Sequence, residues 1–377
     1  MTELEGAIQA IENGLLTATR NKERPLRKRE LCQRMKHYKV PGFSIALIDR
    51  EEVAWARGYG VREVGFEAPV TPETVFQAAS ISKPVTAMVA LHLVDKGLLD
   101  LDADVNDVLC SWKVPKSKHT QLQPDGMRRV VTLRGLLSHS AGMSVRGFLG
   151  YPSDAPLPTL RQILDGEPPA VSKPVRVMLQ PGTEFRYSSG RYMVVQQMIE
   201  DVTGRPLARL AQEWIFDPLG MTRSTFDPLR PQDSNPLAAT AHRDGTPVPI
   251  KWHMYPELAA AGLWSTPSDL ARLAVEVIKS YKNESNRVLS AETTRKMMTP
   301  QPSTSGLGFS IVIQDGKTSF GHPGWNEGFH SLIGGVLETG QGFVWMSNGA
   351  NGNHLGFEVT QGLSKVIGWK WQADAED

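Results

Sequence analysis

Phe76-Gln77-Ala78-Ala79-Ser80-Ile81-Ser82-Lys83-Pro84-Val85-Thr86 sets a serine and a lysine one helical turn apart at the head of an apolar run. The run continues through Met88, Val89, Leu91, Leu93 and Val94, and Gly97 supplies a stop, so the stretch predicts a helix. Pro84 is tolerated only in the first turn, where backbone N–H groups lack intrahelical acceptors, which puts Ser80 at the helix N-terminus. Positions i and i+3 share a face. The Lys83 amine therefore falls beside the Ser80 hydroxyl, where the helix dipole favours developing negative charge. A base, an alcohol and an anion-stabilising field coincide, and Ser80 reads as a nucleophile. A Ser-x-x-Lys match arises about once by chance in a chain of this length, so the rest of the chain has to decide.

The 377 residues carry Lys+Arg 41 against Asp+Glu 40, a net charge of +1. That balance gives no footing for nucleic acid or an anionic membrane as partner. The two cysteines, Cys32 and Cys110, fit neither a disulfide framework nor a metal cluster, and read as reduced thiols. No metal or cofactor is expected. Met1 to Ile8 has neither a basic nor an apolar leader region, and no stretch approaches the roughly 20 apolar residues of a membrane span, so a cytoplasmic enzyme is expected.

Along the chain, residues 3–37 predict one or two amphipathic helices, with a basic run through Arg24, Arg27, Lys28 and Arg29 that reads as a solvated face. Phe43 to Ile48 and Val53 to Tyr59 predict a hairpin turning at Asp49 to Glu52. Helical segments and long Pro/Gly-rich loops fill about 80 to 300. Thr132 caps a short helix, Asp201 to Leu219 reads as another, and Thr266-Pro267-Ser268-Asp269 is a helix N-terminus. Segments 148–180 and 227–260 are too irregular for plain connections and are expected to shape the entrance to a site. Strand-like runs return at Leu307 to Ile313, Thr318 to His322, Phe329 to Leu337 and Gly342 to Asn348, and Phe357 to Trp369 reads as a closing helix. The expected architecture is mixed α/β (α+β): one antiparallel sheet built from both chain ends, flanked by helices, with a large helical central region. Residues 1–75 and 301–377 would form the sheet domain and 76–300 the helical one.

Two further stretches carry candidate chemistry. Pro181 to Tyr192 brings Tyr187, whose hydroxyl near an ammonium can relay a proton, although a lone tyrosine is more often a packing residue. Phe320-Gly321-His322-Pro323-Gly324-Trp325-Asn326 is a glycine-rich strand edge where a substrate can approach closely. The Trp325 N–H, with that of Ser80, would form a two-donor oxyanion hole. Gly-x-Ser-x-Gly, His-Glu-x-x-His and a phosphate-cradling loop are absent.

Taken together, these stretches resemble the superfamily of class C β-lactamases, penicillin-binding proteins and family VIII carboxylesterases. The resemblance spans about residues 38–350. Besides the Ser80, Tyr187 and His322 stretches it rests on Leu136-Leu137-Ser138-His139-Ser140-Ala141-Gly142, Asp217-Pro218-Leu219-Gly220-Met221 and Gly262 through Leu270. It implies a β-lactamase-like fold, Ser80 as acylated nucleophile, Lys83 as its partner, Tyr187 as base or relay, and Ser80 with Trp325 as oxyanion donors. Lys83 and Tyr187 are treated as one coupled pair. His139 would brace its loop.

The chain departs from the family pattern twice. Ser189 stands where an asparagine would bind the amide of a β-lactam, and His322 where a lysine or arginine would hold its carboxylate. With Gly324, these two are the expected substrate-binding residues. The resemblance thus implies a serine esterase acting on small or medium uncharged esters through an acyl-enzyme. A D-amino-acid amidase or D-peptidase, a weak β-lactamase and a non-catalytic scaffold of the same fold are the alternatives.

Overall fold

The computed structural model describes residues 2–16, 28–121, 129–227, 235–301 and 305–369. Six strands form one antiparallel sheet: β1 (Gly42–Asp49), β2 (Glu52–Gly60), β3 (Ser310–Gln314), β4 (Lys317–Asn326), β5 (Phe329–Val336) and β6 (Gln341–Ser347), in the order β3-β4-β5-β6-β1-β2. The sheet is assembled from both ends of the chain, as its strand signals predict. Arg50 and Glu51 turn the first hairpin with φ of 49° and 62°, left-handed values that suit the twist of the flanking strands.

The helices that matter here are α1 (Glu3–Asn13), α2 (Leu31–Tyr38), α3 (Ser82–Asp95), α4 (Gly190–Thr203), α5 (Leu258–Ala261), α6 (Pro267–Tyr281) and α7 (Gly352–Ile367). One sheet face, with Ile45, Leu47 and Phe343, packs on Ile11 of α1 and Leu355, Val359 and Leu363 of α7. The opposite face, with Ala46, Ile48 and Val344, packs on Leu270, Leu273 and Val277 of α6 and shares its core with α3 and α4. Because β1 is covered on both sides, its sequence is a continuous apolar run rather than an alternating one. The helix α3 is buried from Ser82 through Leu91, which explains why it is apolar on every face.

Two sequence expectations change in detail. The stretch from Asp201 to Leu219 is not one helix: α4 ends at Thr203, Gly204 caps it, and a second segment starts after Pro206 and runs in pieces to Leu219. The closing helix starts at Gly352, ahead of the expected Phe357. Gly352 and Gly356 argue against helix locally, but a Cβ at Gly356 would lie 2.1 Å from the Trp345 ring, so packing selects the glycine and imposes the helix. Of the basic run, Arg24 and Arg27 fall outside the described residues, and Lys28–Arg29 form a short exposed strand. Among the described residues, no helix is long and apolar enough to cross a membrane.

Candidate active site

Ser80 does not open α3. It lies in a 3-10 turn, Ala79–Ile81, directly ahead of the helix, and Ala79 has φ of 50°, a left-handed conformation that costs a residue with a Cβ. Distant segments hold the turn in place. Ser331 Oγ donates to Ala78 O at 3.0 Å, and Ala78 N donates to Leu263 O at 2.8 Å. Ser82 Oγ donates to Ala79 O at 2.6 Å and accepts from Leu263 N at 2.9 Å. The strain is thus over-determined by Ser331 of β5 and by Leu263 after α5.

The fully buried Lys83 reaches back from the first turn of α3, its Nζ 2.8 Å from Ser80 Oγ and 3.0 Å from Ala260 O. Tyr187 enters from the loop before α4 and donates to Ser80 Oγ at 3.2 Å. Its ring stacks on His139 at 4.4 Å, and His139 Nδ1 accepts from Ser188 N at 3.3 Å, so the histidine braces the tyrosine. Burial lowers Lys83 from its ordinary value. Burial pushes the Tyr187 phenol up, but the Lys83 charge and the contacts with Lys83 and Ser80 outweigh it, and the phenol ends below its ordinary value. An alcohol thus stands between two groups that are both easier to deprotonate than in water.

The strand β4 closes the site. A Cβ at Gly324 would lie 2.2 Å from Ser331 Oγ and 2.4 Å from Ala78 O, so only glycine lets the strand lie against the Ser80 turn. Gly324→Ala is expected to push β4 away and cut turnover about a hundredfold, with a loss of roughly 1–3 kcal/mol in stability; kinetics beside a thermal melt check both. Asn326 Nδ2 donates to Gln77 Oε1 at 2.8 Å and to Ala261 O at 3.1 Å, tying β4 to the helical side. In front of Ser80 lies a cavity of about 590 Å³ whose wall includes Tyr187, Ser189, Gly324 and Trp325. His322 is buried and is not part of that wall. Among the described residues, no cluster of His, Cys, Asp and Glu could hold a metal ion.

Residues 28–362 match the family described as Beta-lactamase. The chain belongs to the β-lactamase family. Similar proteins within reach include the unguisins hydrolase ungD of Aspergillus violaceofuscus, 26% identical over 93% of this chain and 65% of the relative. Penicillin-binding protein 4 of Amycolatopsis lactamdurans is 27% identical over 84% of this chain and 82% of the relative. The chain thus spans about two thirds of the Aspergillus protein. Among solved structures, an octameric penicillin-binding protein homologue from Pyrococcus abyssi superposes with a TM-score of 0.70 at 27% identity, covering 90% of this chain and 76% of that one. A β-lactamase/D-alanine carboxypeptidase from Yersinia pestis shares the fold with a TM-score of 0.66 at 19% identity, over 88% and 95% of the two chains. The fold expected from the motif series is the fold found.

Within this β-lactamase-family chain, the positions that depart from the family pattern are now placed. Ser189 precedes α4, its side chain on the cavity wall and its N–H donating to Val145 O at 2.9 Å. His322 Nδ1–H donates to Pro323 O at 2.6 Å, and burial, with Lys83 nearby, lowers the imidazole to about 3, so it is neutral at physiological pH.

Sequence reasoning passed over two buried groups near the site. The Arg191 guanidinium is stacked over Tyr192 at 4.8 Å and donates from Nε to Ser188 O at 3.0 Å, while its two terminal nitrogens have no hydrogen-bond partner among the described residues. Burial lowers it to about 10, which leaves it charged at neutral pH. The signal was an arginine inside Ser188-Ser189-Gly190-Arg191-Tyr192, but nothing local marks it as buried. Glu257, 1% exposed at the entry to α5, lies near Tyr151, and burial raises it to about 7. A carboxyl raised from 4.5 to about 7 contributes its full share of stability below 4.5 and loses it as pH rises through 7. Glu257→Gln is therefore expected to raise stability on the order of 3 kcal/mol at pH 8 and to change it little at pH 4. Denaturant titrations at the two pH values check the sign.

Proposed function

We propose that this chain is a serine esterase that hydrolyses uncharged carboxylic esters through an acyl-enzyme on Ser80. The observation that carries the reading is the position of Ser80 Oγ, 2.8 Å from Lys83 Nζ and 3.2 Å from the Tyr187 hydroxyl, at the wall of an open cavity. The Lys83–Tyr187 pair takes the Ser80 proton as Oγ attacks the ester carbonyl. The same proton then passes to the departing alkoxide as the carbon–oxygen bond breaks, leaving the acyl group on Ser80. Water repeats the sequence: the pair takes its proton, hydroxide adds to the acyl carbon, and the proton returns to Oγ as the acid leaves.

The oxyanion of each tetrahedral intermediate is directed at the N–H groups of Ser80 and Trp325. Ser80 stands ahead of Ile81, the first residue whose N–H bonds back into the turn, at 3.1 Å to Ala78 O. In β4, the turn at Glu327–Gly328 closes on the pair Asn326–Phe329. Strand alternation then turns the Asn326 and Gly324 amides towards β5 and the Trp325 amide towards the outer edge. Pairing with β3 ends at Gly321, so that edge has no strand partner among the described residues. Pro323, which has no N–H, sits at the same outward phase, where the ladder loses nothing.

Ester is favoured over amide and β-lactam by the site's polarity. His322 is neutral, so it offers no cation to a substrate carboxylate, and Ser189 replaces the amide-binding asparagine. The test is purified protein with p-nitrophenyl esters, D-amino-acid p-nitroanilides and a chromogenic cephalosporin, with mass spectrometry after a fluorophosphonate. Ester turnover and a covalent mass on Ser80 support the reading. Anilide turnover without ester turnover replaces it with an amidase, and no labelling at all with a scaffold.

A further inference from the structure

The cavity in front of Ser80 is larger than a small ester needs, and it does not stop at β4. Side chains alternate across a strand, and Gly324 and Asn326 face the helical side, where a Gly324 Cβ would meet Ala78 O and Asn326 bonds Gln77. Pro323 and Trp325 therefore face the opposite side, towards α7, as do their partners Leu332 and His330 on β5. Yet the cavity wall that holds Ser80 and Tyr187 also holds Pro323, Trp325, Leu332, Trp345 and Phe357. The space is continuous around the outer edge of β4, from the nucleophile on one face to α7 on the other.

The far lobe is uncharged and mainly apolar, with Asn353 and Thr360 as its polar side chains from α7. Trp345 and Leu332 make its floor, and the Trp345 indole N–H is satisfied by Thr360 Oγ1 at 3.0 Å, so it offers a ring face and no donor. Trp325, 61% exposed on β4, and Phe357, 51% exposed on α7, belong to the same wall. Large rings left exposed around an apolar floor are a binding surface in want of a ligand. His330 Nε2–H donates to Ala350 O at 3.0 Å and burial lowers the imidazole to about 4, while Arg146 is the cation among the residues that line the cavity as a whole.

We propose that the substrate carries an extended, uncharged apolar arm, aliphatic or aromatic, that rounds the edge of β4 and lies between Trp325 and Phe357 against α7. The inference rests on the hydrolase reading of Ser80 and names the substrate class of that site. The occupant is fixed by continuity: a group in the far lobe is joined through one cavity to the carbon that Ser80 attacks. A volume of about 590 Å³ suits a ligand of that extent, within the roughly 300–1,000 Å³ of small-molecule sites.

The test compares the parent with Phe357→Ala and Phe357→Asp on two series: p-nitrophenyl acetate against octanoate, and ethyl against octyl acetate. In one of the series the long substrate is expected to exceed the short by at least about tenfold in kcat/KM, a discrimination typical of an apolar pocket. Phe357→Ala is expected to lower that ratio several-fold and Phe357→Asp to lower it further. Equal rates for long and short substrates in both series, or a ratio that neither variant changes, overturns the arm. Methyl and dodecyl fluorophosphonates separate this from the larger question. If both label Ser80, the hydrolase reading stands whatever the ratio; if neither does, that reading falls and the arm with it.

Discussion

Ser80→Ala is expected to remove ester turnover by a factor on the order of 10⁵ while leaving the protein folded. The loss is large because the serines that hold the turn are committed elsewhere: Ser82 Oγ to Ala79 O and to Leu263 N, and Ser331 Oγ to Ala78 O. The fold is expected to survive because the turn is held by backbone atoms of Ala78 and Ala79 and by Ser82, not by Ser80. The same variant is expected to lose its fluorophosphonate mass shift. A variant that melts with the parent and hydrolyses esters at the parental rate would move the nucleophile elsewhere in the chain.

The second large effect belongs to Lys83 and Tyr187, the pair beside Ser80. Lys83→Met and Tyr187→Phe are each expected to lower kcat about 10²- to 10⁴-fold, the range of one positioned acid or base. The pH dependence carries more information than the size. Burial holds Lys83 below its ordinary value, and Lys83 in turn holds Tyr187 below its own, so the pair gives up its first proton below the ordinary value of either group. The parent kcat/KM should rise with pH as that proton leaves. With Lys83→Met the cation beside Tyr187 is gone while the burial that pushes the phenol up remains. Residual activity should then switch on at higher pH than in the parent. A limb that stays where it was would separate Tyr187 from proton transfer.

Much of this site is legible before any folding is considered. Ser80 and Lys83 are three residues apart, and one turn of chain brings them together whatever else the protein does. The caps at Thr132 and Thr266 are equally local, since each side-chain oxygen accepts from a backbone N–H three residues on, at Gly135 and Asp269. The break at Gly204 and Pro206 was also written locally, and reading through it overstated the helix to Leu219. The start of α7 was not local: Gly352 and Gly356 are poor helix formers, and the helix exists there because Gly356 admits the Trp345 ring.

Short motifs, whose order survives without coordinates, carry the fold family and name Ser80, Lys83 and Tyr187 as the candidate site. Only the tertiary structure decided what surrounds them. It seats Ser80 in a strained turn rather than on the helix proper, because β5 and Leu263 hold Ala78 and Ala79 there. It withdraws His322 from the cavity wall and leaves it neutral. It buries Arg191 and Glu257, and carries the cavity round the edge of β4 to Phe357. Each of these depends on residues more than a hundred positions apart meeting across a packed interface, and burial is a property of that meeting, not of any stretch of sequence.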